Sequence, residues 1–314
     1  MPQPTLSRRD STRGFVYAIL SAVFLSSTAI LIRYLTEVYS LPALVLAFWR
    51  DAFIGVTLGI VLLALCPSLV RTAREDRGYL WSYGVLVALF NAFWTLSVAL
   101  NGAAVATVLA YCSTAFAALL EWRLLHEHLA RGKALAIVLC LAGCGLVAGA
   151  LGQASQPLSS LGLLTGLLSG LLYAIYGIMG RLAAQRGISP WTTLLHTFSV
   201  AALVLLLVNL SVGWLIPGGA RVPGEMWWLG RSVSGWLLLI LLAAGPSVLG
   251  FGLYNLSLAN LPASTVNLLV TAEPVFTVLT AFFLLHERLT PPQLAGSALV
   301  IAAMAVVVRK PESV

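Results

Sequence analysis

Runs of about 20 apolar residues recur along the chain, separated by short polar segments. Ten such runs fall at residues 15–35, 42–65, 79–100, 103–122, 134–152, 161–182, 190–215, 235–258, 263–285 and 293–308. A helix of this length spans the ~30 Å hydrocarbon core of a bilayer, so the pattern predicts ten transmembrane helices. The first run is too long for the apolar part of a secretory signal and is followed by a second span, so we expect it to remain in the protein.

Composition indicates the same class. Hydrophobic residues make up 60% of the 314 residues and charged residues only 9%, whereas soluble domains carry roughly 25% charged residues. No loop is long enough for a further domain, and no Walker motif is present, so ATP-driven transport is not expected. The predicted fold class is an all-α integral membrane protein.

The formal net charge of +7 comes from basic residues that flank the spans. If the N-terminus is cytoplasmic, thirteen of the 18 basic residues lie on the cytoplasmic side, four lie outside, and Arg50 falls within a span. Cytoplasmic segments of membrane proteins carry this excess of Lys and Arg. We therefore expect both termini in the cytoplasm of a bacterial cell, a multi-pass protein of the inner membrane, and no nucleic-acid partner.

The chain contains an internal repeat. Residues 96–129 match residues 256–289 at twelve of 34 positions without a gap, and both segments end in Leu-Leu-His-Glu-x-Leu. A weaker match at an offset of 148 aligns Gly14 with Gly162 and Ser21 with Ser169. Five spans per half is an odd number, so the halves must enter the membrane from opposite sides. We predict a tail at 1–13 and inverted five-helix repeats at 14–152 and 153–310, an arrangement typical of secondary transporters.

These features resemble the drug/metabolite transporter superfamily, and within it the EamA-type group. The resemblance covers residues 14–308 and is carried by Arg50, Ala103, Ala263, Glu273-Pro274, Glu127-His128-Leu129 and Glu287-Arg288-Leu289. It implies ten helices around a central cavity lined by spans three, four, eight and nine, and export of amino acids, other metabolites or cationic drugs. The chain departs from the group in lacking a Trp in span one and in having Ser113-Thr114 where the second repeat has Glu273-Pro274.

Ionisable residues in mid-membrane are costly and mark candidate sites. Glu273 lies near the centre of span nine, where it could carry a coupling proton or pair with a substrate ammonium; the alternative is a structural carboxyl bonded to another helix. Arg50 could bind a substrate carboxylate or pair with Glu273, or form a buried inter-helix ion pair. Because adjacent helical residues point about 100° apart, Arg50 and Asp51 are not expected to pair simply with each other.

Polar and aromatic residues of spans three, four, eight and nine complete the predicted substrate site. They are Asn91, Trp94, Tyr111, Ser247, Tyr254, Asn255, Asn267 and Thr271. Trp94 matches Tyr254 at the repeat offset, so we expect these rings to face each other across the axis relating the halves. The alternative for each residue is packing or hydrogen bonding between helices.

His196 in span seven is a second candidate for proton coupling, since histidine titrates near neutral pH; bonding to a neighbouring helix is the alternative. The four cysteines have neither zinc nor dithiol spacing, so we expect no metal site and no cofactor. Glycines at 162, 166 and 170 form a close-packing face that would serve helix contacts, rocking or a homodimer equally well.

The sequence thus predicts a secondary transporter, not an enzyme, that moves a small metabolite across the cytoplasmic membrane by alternating access, most readily as an exporter. Aromatic and amide side chains favour an amino acid or related amphipathic amine. The alternative is a scaffold or subunit of a larger complex that transports nothing.

Overall fold

A computed structural model describes residues 8–124, 131–147, 159–273, 275–276, 279 and 291–309. Within these ranges the regular structure is helical, and no strand occurs. The helices are α1 (Arg8–Val38), α2 (Ala43–Leu65), α3 (Arg74–Tyr111), α4 (Ser113–Leu124), α5 (Arg131–Val147), α6 (Ser160–Gln185), α7 (Pro190–Ser211), α8 (Val233–Leu242), α9 (Val248–Leu258), α10 (Ala263–Val270) and α11 (Pro291–Arg309).

Five segments of the described chain are long and apolar enough to cross a membrane. They are Ala43–Leu65, Arg74–Val98, Ser160–Gln185, Pro190–Ser211 and Val233–Leu258. About half of the most apolar part of each segment is buried inside the protein, so each also presents a substantial apolar surface outward. Such a surface is stable in lipid rather than in water.

Helix α3 covers two of the predicted spans because it bends sharply instead of ending. A Cβ placed on Gly166 of α6 would lie 2.7 Å from Ser97 Oγ and 2.5 Å from Leu109 Cδ1, so both residues reach the same point of α6. In a straight helix they would be roughly 18 Å apart. The helix is interrupted at Cys112, between α3 and α4, and not at 101–102 where the apolar pattern separates spans three and four.

The helices pair in a pattern that repeats between the two halves. Helix α1 packs along α9, and α3 packs along α6 in the corresponding way. Helix α2 packs on α7, α4 on α10, and α5 on α11, so each of these contacts joins equivalent helices of the two halves. The interior is therefore built mainly from contacts between halves.

One hydrogen bond occurs twice in this arrangement. Ser97 Oγ donates to the Gly162 carbonyl at 2.7 Å, and Ser257 Oγ donates to the Gly14 carbonyl at 2.8 Å. Ser97 and Ser257 are equivalent at the offset of 160, and Gly14 and Gly162 at the offset of 148. The same hydrogen bond therefore joins residues related by the offset of 160 to residues related by the offset of 148.

The glycine face of α6 is used inside the protein. A Cβ on Gly170 would lie 2.7 Å from the Leu109 carbonyl oxygen, and Gly166 approaches Ser97 and Leu109. Glycine here lets α6 lie directly against the bent helix α3.

The connection between α7 and α8 covers the start of α2. Leu44 N donates to the Gly218 carbonyl at 2.8 Å, and Trp49 Nε1 donates to the Met226 carbonyl at 2.6 Å. The Trp49 ring also lies 4.9 Å from that of Trp236 in an edge-to-face arrangement. Indole groups of this kind favour the membrane–water interface.

Candidate functional site

A cavity of about 70 Å³ lies between α1, α2, α3, α6, α9 and the segment after α10. Six of the residues predicted for the substrate site line it: Arg50, Asn91, Trp94, Tyr111, Ser247 and Glu273. Apart from Thr28, the remaining wall is aliphatic and aromatic. Polar groups are thus concentrated on a mostly apolar surface, as in most small-molecule sites.

Arg50, Asp51 and Asn91 form one buried network. Arg50 Nε donates to Asp51 Oδ1 at 3.2 Å and Arg50 Nη2 donates to Asn91 Oδ1 at 2.7 Å. Asn91 Nδ2 closes the ring by donating to Asp51 Oδ2 at 2.7 Å. The expectation that Arg50 and Asp51 would not pair is therefore wrong. The long arginine side chain folds back to the adjacent carboxylate, and Asn91 of α3 bridges both groups.

Glu273 lies on another wall of the same cavity, just after a break in its helix. Helix α10 ends at Val270, and Thr271 and Ala272 form a turn directly before Glu273. The Glu273 carboxyl group lies beside the Tyr111 hydroxyl and is partly exposed to the cavity. Broken helices at such sites are a recurring feature of transporters. Pro274 lies outside the described residues.

Aromatic rings form the inner wall of the cavity. Tyr173 of α6 stacks on Phe90 with ring centroids 5.0 Å apart, and Phe251 of α9 lines the wall beside them. Electron-rich ring faces attract cationic groups. Sequence reasoning missed Tyr173 because α6 was not counted among the cavity helices.

Ser247 reaches the cavity from an irregular turn. Residues Ala243–Ser247 form a π-helical turn that contains Pro246 and joins α8 to α9. Proline cannot donate the regular helical hydrogen bond, which accounts for the local widening. The Ser247 hydroxyl is buried and has no hydrogen-bond partner in the described part of the chain.

Four predicted residues lie behind the cavity wall rather than on it: Tyr254, Asn255, Asn267 and Thr271. The Tyr254 hydroxyl donates to Asn267 Oδ1, and the Tyr254 ring stacks on Tyr173 at 5.6 Å. Thr271 Oγ1 lies 3.1 Å from Thr114 Oγ1. Trp94 thus lines the cavity, while its repeat partner Tyr254 supports the cavity wall through Tyr173.

His196 is in a different place. Its Nε2 lies 3.1 Å from the Val70 carbonyl, at a second cavity between the α2–α3 turn and α7. The structure does not bring His196 to the cavity that contains Glu273.

A buried carboxylate that the sequence analysis did not single out joins four helices. Glu121 of α4 is 1% exposed, and its oxygens lie 3.6 Å from Lys133 Nζ and 3.7 Å from Arg181 Nη1. Ser264 donates to the same carboxylate through its backbone N–H at 3.1 Å and through its hydroxyl. The sequence does contain a signal for this residue, because Glu121 is an acidic residue inside the otherwise apolar run 103–122.

Glu127, His128, Glu287 and Arg288, which carry part of the family resemblance, lie outside the described residues. Among the described residues, no three His, Cys, Asp or Glu side chains are grouped to hold a metal ion.

Comparison with known proteins identifies relatives over most of the chain. The uncharacterized transporter YwfM of Bacillus subtilis is 29% identical over 231 residues, 72% of each chain. The threonine/homoserine exporter RhtA of Escherichia coli K12 is 26% identical over 238 residues, 76% of this chain and 73% of that protein. A solved crystal structure shares the fold with a TM-score of 0.73 at 20% identity, covering 98% of this chain and all of the other.

The EamA-like transporter family matches twice, at residues 12–149 and 160–309. The members of that family are transporters and not enzymes, so the sequence-based predictions of superfamily, of a multi-pass membrane protein and of a small-metabolite exporter are confirmed. The chain belongs to the EamA-like transporter family and carries the family's domain in both of its halves.

Proposed function

We propose that this protein exports an amino acid or a related amphipathic amine from the bacterial cytoplasm by alternating access. The observation that carries the proposal is one cavity with Arg50 and Asn91 on one wall and Glu273 on another. Such a site offers hydrogen-bond donors to a carboxylate and an acceptor to an ammonium group. The two ends of a zwitterion therefore have separate partners.

The apolar wall completes the match to an amphipathic substrate. Phe90, Tyr173 and Phe251 provide a surface for an aliphatic or aromatic side chain, and their ring faces also favour a cation. The Ser247 hydroxyl supplies a further polar group that a substrate could engage. In this conformation the cavity is small, with room for a few water molecules. Binding of a whole substrate therefore requires the helices to move apart.

Two relatives support an amino acid as the first substrate to test. RhtA is described as a threonine/homoserine exporter. A probable terminal-alkyne amino-acid exporter of Streptantibioticus cattleyicolor is 46% identical over 55 residues, 18% of each chain.

The architecture that we propose has ten transmembrane helices in two inverted repeats, 14–152 and 153–310, with both termini in the cytoplasm. Support comes from the recurring helix pairing, from the repeated hydrogen bond of Ser97 and Ser257, and from the excess of basic residues on one side. Inverted halves provide two equivalent arrangements that open the central cavity to opposite sides. A homodimer is not required by this scheme.

Transport is tested with purified protein in liposomes loaded with labelled threonine, homoserine and other amino acids. We expect wild-type flux of at least one amino acid, and flux about 100-fold lower in Glu273→Gln, which keeps the size of the side chain and loses its charge. Glu75→Gln is the matched control, because Glu75 is an exposed carboxyl in the first turn of α3. Wild-type flux and an unchanged pH dependence in Glu273→Gln would exclude Glu273 from coupling and from substrate binding. No wild-type flux of any amino acid or amine would favour the scaffold alternative.

A further inference from the structure

A second cavity, of about 530 Å³, lies at the end of the molecule where α2 turns into α3. Its volume falls in the ~300–1,000 Å³ range typical of small-molecule sites. The polar part of its lining includes Arg71, Arg77 and His196, and the apolar part includes Leu80, Trp81 and Val200. None of these residues lines the cavity that contains Glu273.

The crossing of α3 and α7 builds this cavity. A Cβ on Gly84 would lie 2.5 Å from Val200 Cβ and 2.9 Å from the Thr197 carbonyl, so the two helices touch at this point. Arg77, Trp81 and Gly84 follow one face of α3 at helical spacing. Arg77 and Trp81 therefore lie one to two turns before this contact, on the face of α3 that meets α7, where they line the cavity.

The remaining wall is held rigidly by hydrogen bonds. The turn Pro67–Val70 is fixed to α7 because Thr192 Oγ1 donates to the Leu69 carbonyl at 2.7 Å, and His196 Nε2 lies 3.1 Å from the Val70 carbonyl. A carbonyl can only accept, so Nε2 is the protonated nitrogen and Nδ1 remains for another partner. Arg71 follows this turn directly and is held at the cavity mouth.

The charges at the mouth are not balanced by any acidic side chain in the part of the chain that the structure describes. Arg71 and Arg77 are exposed, and neither guanidinium forms an ion pair with any residue that the structure describes. The acidic side chains of the same segment, Glu75 and Asp76, lie in the first turn of α3 and do not line the cavity. A positive mouth beside an apolar wall suits an anion that carries hydrocarbon.

We propose that this cavity binds the phosphate group of an anionic phospholipid. Arg71 and Arg77 contact the phosphate, since guanidinium groups bind phosphate oxygens in a bidentate manner. The acyl chains lie against Trp81, which is 51% exposed, and against the half-buried Val200. In the orientation proposed above the lipid belongs to the cytoplasmic leaflet, where basic pockets between helices bind acidic headgroups. The lipid site does not depend on which substrate is transported.

The test uses full-length protein in detergent, with lipid retention measured by native mass spectrometry. Phosphatidylglycerol is compared with phosphatidylcholine, which carries the same phosphate but no net charge. We expect wild-type protein to retain phosphatidylglycerol in preference to phosphatidylcholine. The double variant Arg71→Gln/Arg77→Gln should retain about tenfold less phosphatidylglycerol than wild type. Arg74→Gln is the matched control, because Arg74 belongs to the same segment and does not line the cavity.

Three results would overturn the proposal. Equal retention of the two lipids by wild-type protein would remove the preference for an anion. An equal loss in Arg74→Gln would show general attraction to a basic surface. Displacement of the lipid by millimolar inorganic phosphate would instead indicate a site for a soluble anion. A cooperative thermal transition of each variant in detergent without added lipid shows that the variants are folded when binding is compared. Added phosphatidylglycerol should raise the transition temperature of wild type and of Arg74→Gln, and not that of Arg71→Gln/Arg77→Gln.

Discussion

At the scale of single residues, the site depends on how Arg50 is held. A guanidinium group at membrane depth is costly unless its charge is compensated. Asp51 compensates it, and Asn91 fixes both groups by using its oxygen for Arg50 and its nitrogen for Asp51. The network leaves Arg50 at the cavity wall in one orientation, which prepares it to meet a substrate carboxylate.

Removal of the Asp51 carboxylate should therefore destabilise the protein more than removal of a carboxylate at the protein surface. In Asp51→Asn the Arg50 charge stays buried without its partner, and we expect a loss of about 3–5 kcal/mol. The thermal midpoint in detergent should fall by several degrees. Asp76→Asn, near the start of α3 and away from this network, is the control and should change stability by less than about 1 kcal/mol. Equal midpoints for the two variants would contradict a structural role of Asp51.

The charged residues show which parts of the site can be predicted from the sequence alone. Arg50 and Glu273 could be predicted because charges in apolar runs are rare and stand out. Their partners could not, since contacts of Arg50 with Asn91 join residues 41 positions apart and depend on how helices pack. Tyr173 was missed because α6 was not counted among the cavity helices. Glu121 was missed because a carboxyl group near the end of an apolar run is typical of the membrane interface.

At the scale of helices, glycine sets how closely the two halves approach. The backbone of α3 fills the space beside Gly170, whereas the neighbour of Gly55 is the Ser199 hydroxyl, 2.7 Å from an added Cβ. A backbone carbonyl cannot rotate away, while a side chain can. The same sequence feature, a glycine on a helix face, therefore has different consequences at different positions.

We predict that Gly170→Ala destabilises the protein by about 1–3 kcal/mol, because α6 must move away from the Leu109 carbonyl 2.7 Å from the new Cβ. Gly55→Ala should cost less, since Ser199 can change rotamer. Gly78→Ala is the control: no atom lies within 4 Å of its added Cβ, and alanine favours a helix. Thermal midpoints measured by fluorescence-detected size exclusion should rank Gly170→Ala lowest and Gly78→Ala at or above wild type. Any other order would mean that this contact does not limit helix packing.

The positions of the helices were largely predictable and their junctions were not. Apolar runs locate α2, α6, α7 and α11 to within a few residues, because the bilayer imposes a length on each span. The π turn at Ala243–Ser247 lies inside the apolar run 235–258 and leaves no trace in that pattern. The bend of α3 does coincide with a break in the apolar pattern, at 101–102, but the pattern predicts separate helices there and not one bent helix. Both irregularities adjoin the cavity, where helix geometry determines which side chains face it.

At the scale of the whole molecule, we infer that two sets of contacts close one end of the central cavity. Tyr83 donates to the Tyr176 carbonyl at 2.8 Å, and the stacked rings of Tyr173 and Phe90 lie between this contact and the cavity. Glu121 is held by residues of both halves, which include Lys133 of α5 and Arg181 of α6. In the proposed orientation this is the cytoplasmic end. Opening of the cavity to the cytoplasm then requires the Glu121 contacts to separate.

Neutralisation of Glu121 should accordingly shift the protein toward a state that is open to the cytoplasm. Glu121→Gln keeps the shape of the side chain and weakens its attraction to Lys133 and Arg181, and a change of about 1.4 kcal/mol would alter the populations tenfold. Ala110 lines the cavity and serves as the reporter when changed to cysteine in a variant without the four native cysteines. A membrane-impermeant thiol reagent is applied to inside-out and right-side-out vesicles.

The expected outcome is labelling of the reporter several-fold faster from the cytoplasmic side in Glu121→Gln, with labelling from the outside slowed. Glu75→Gln, an exposed carboxyl in the same cytoplasmic region of the proposed topology, should leave both rates unchanged. If Glu121→Gln instead speeds labelling from the outer side alone, the Glu121 network lies at the outer end of the protein. That result would reverse the proposed orientation. Unchanged rates from both sides would show that the network fastens the helices together without controlling access.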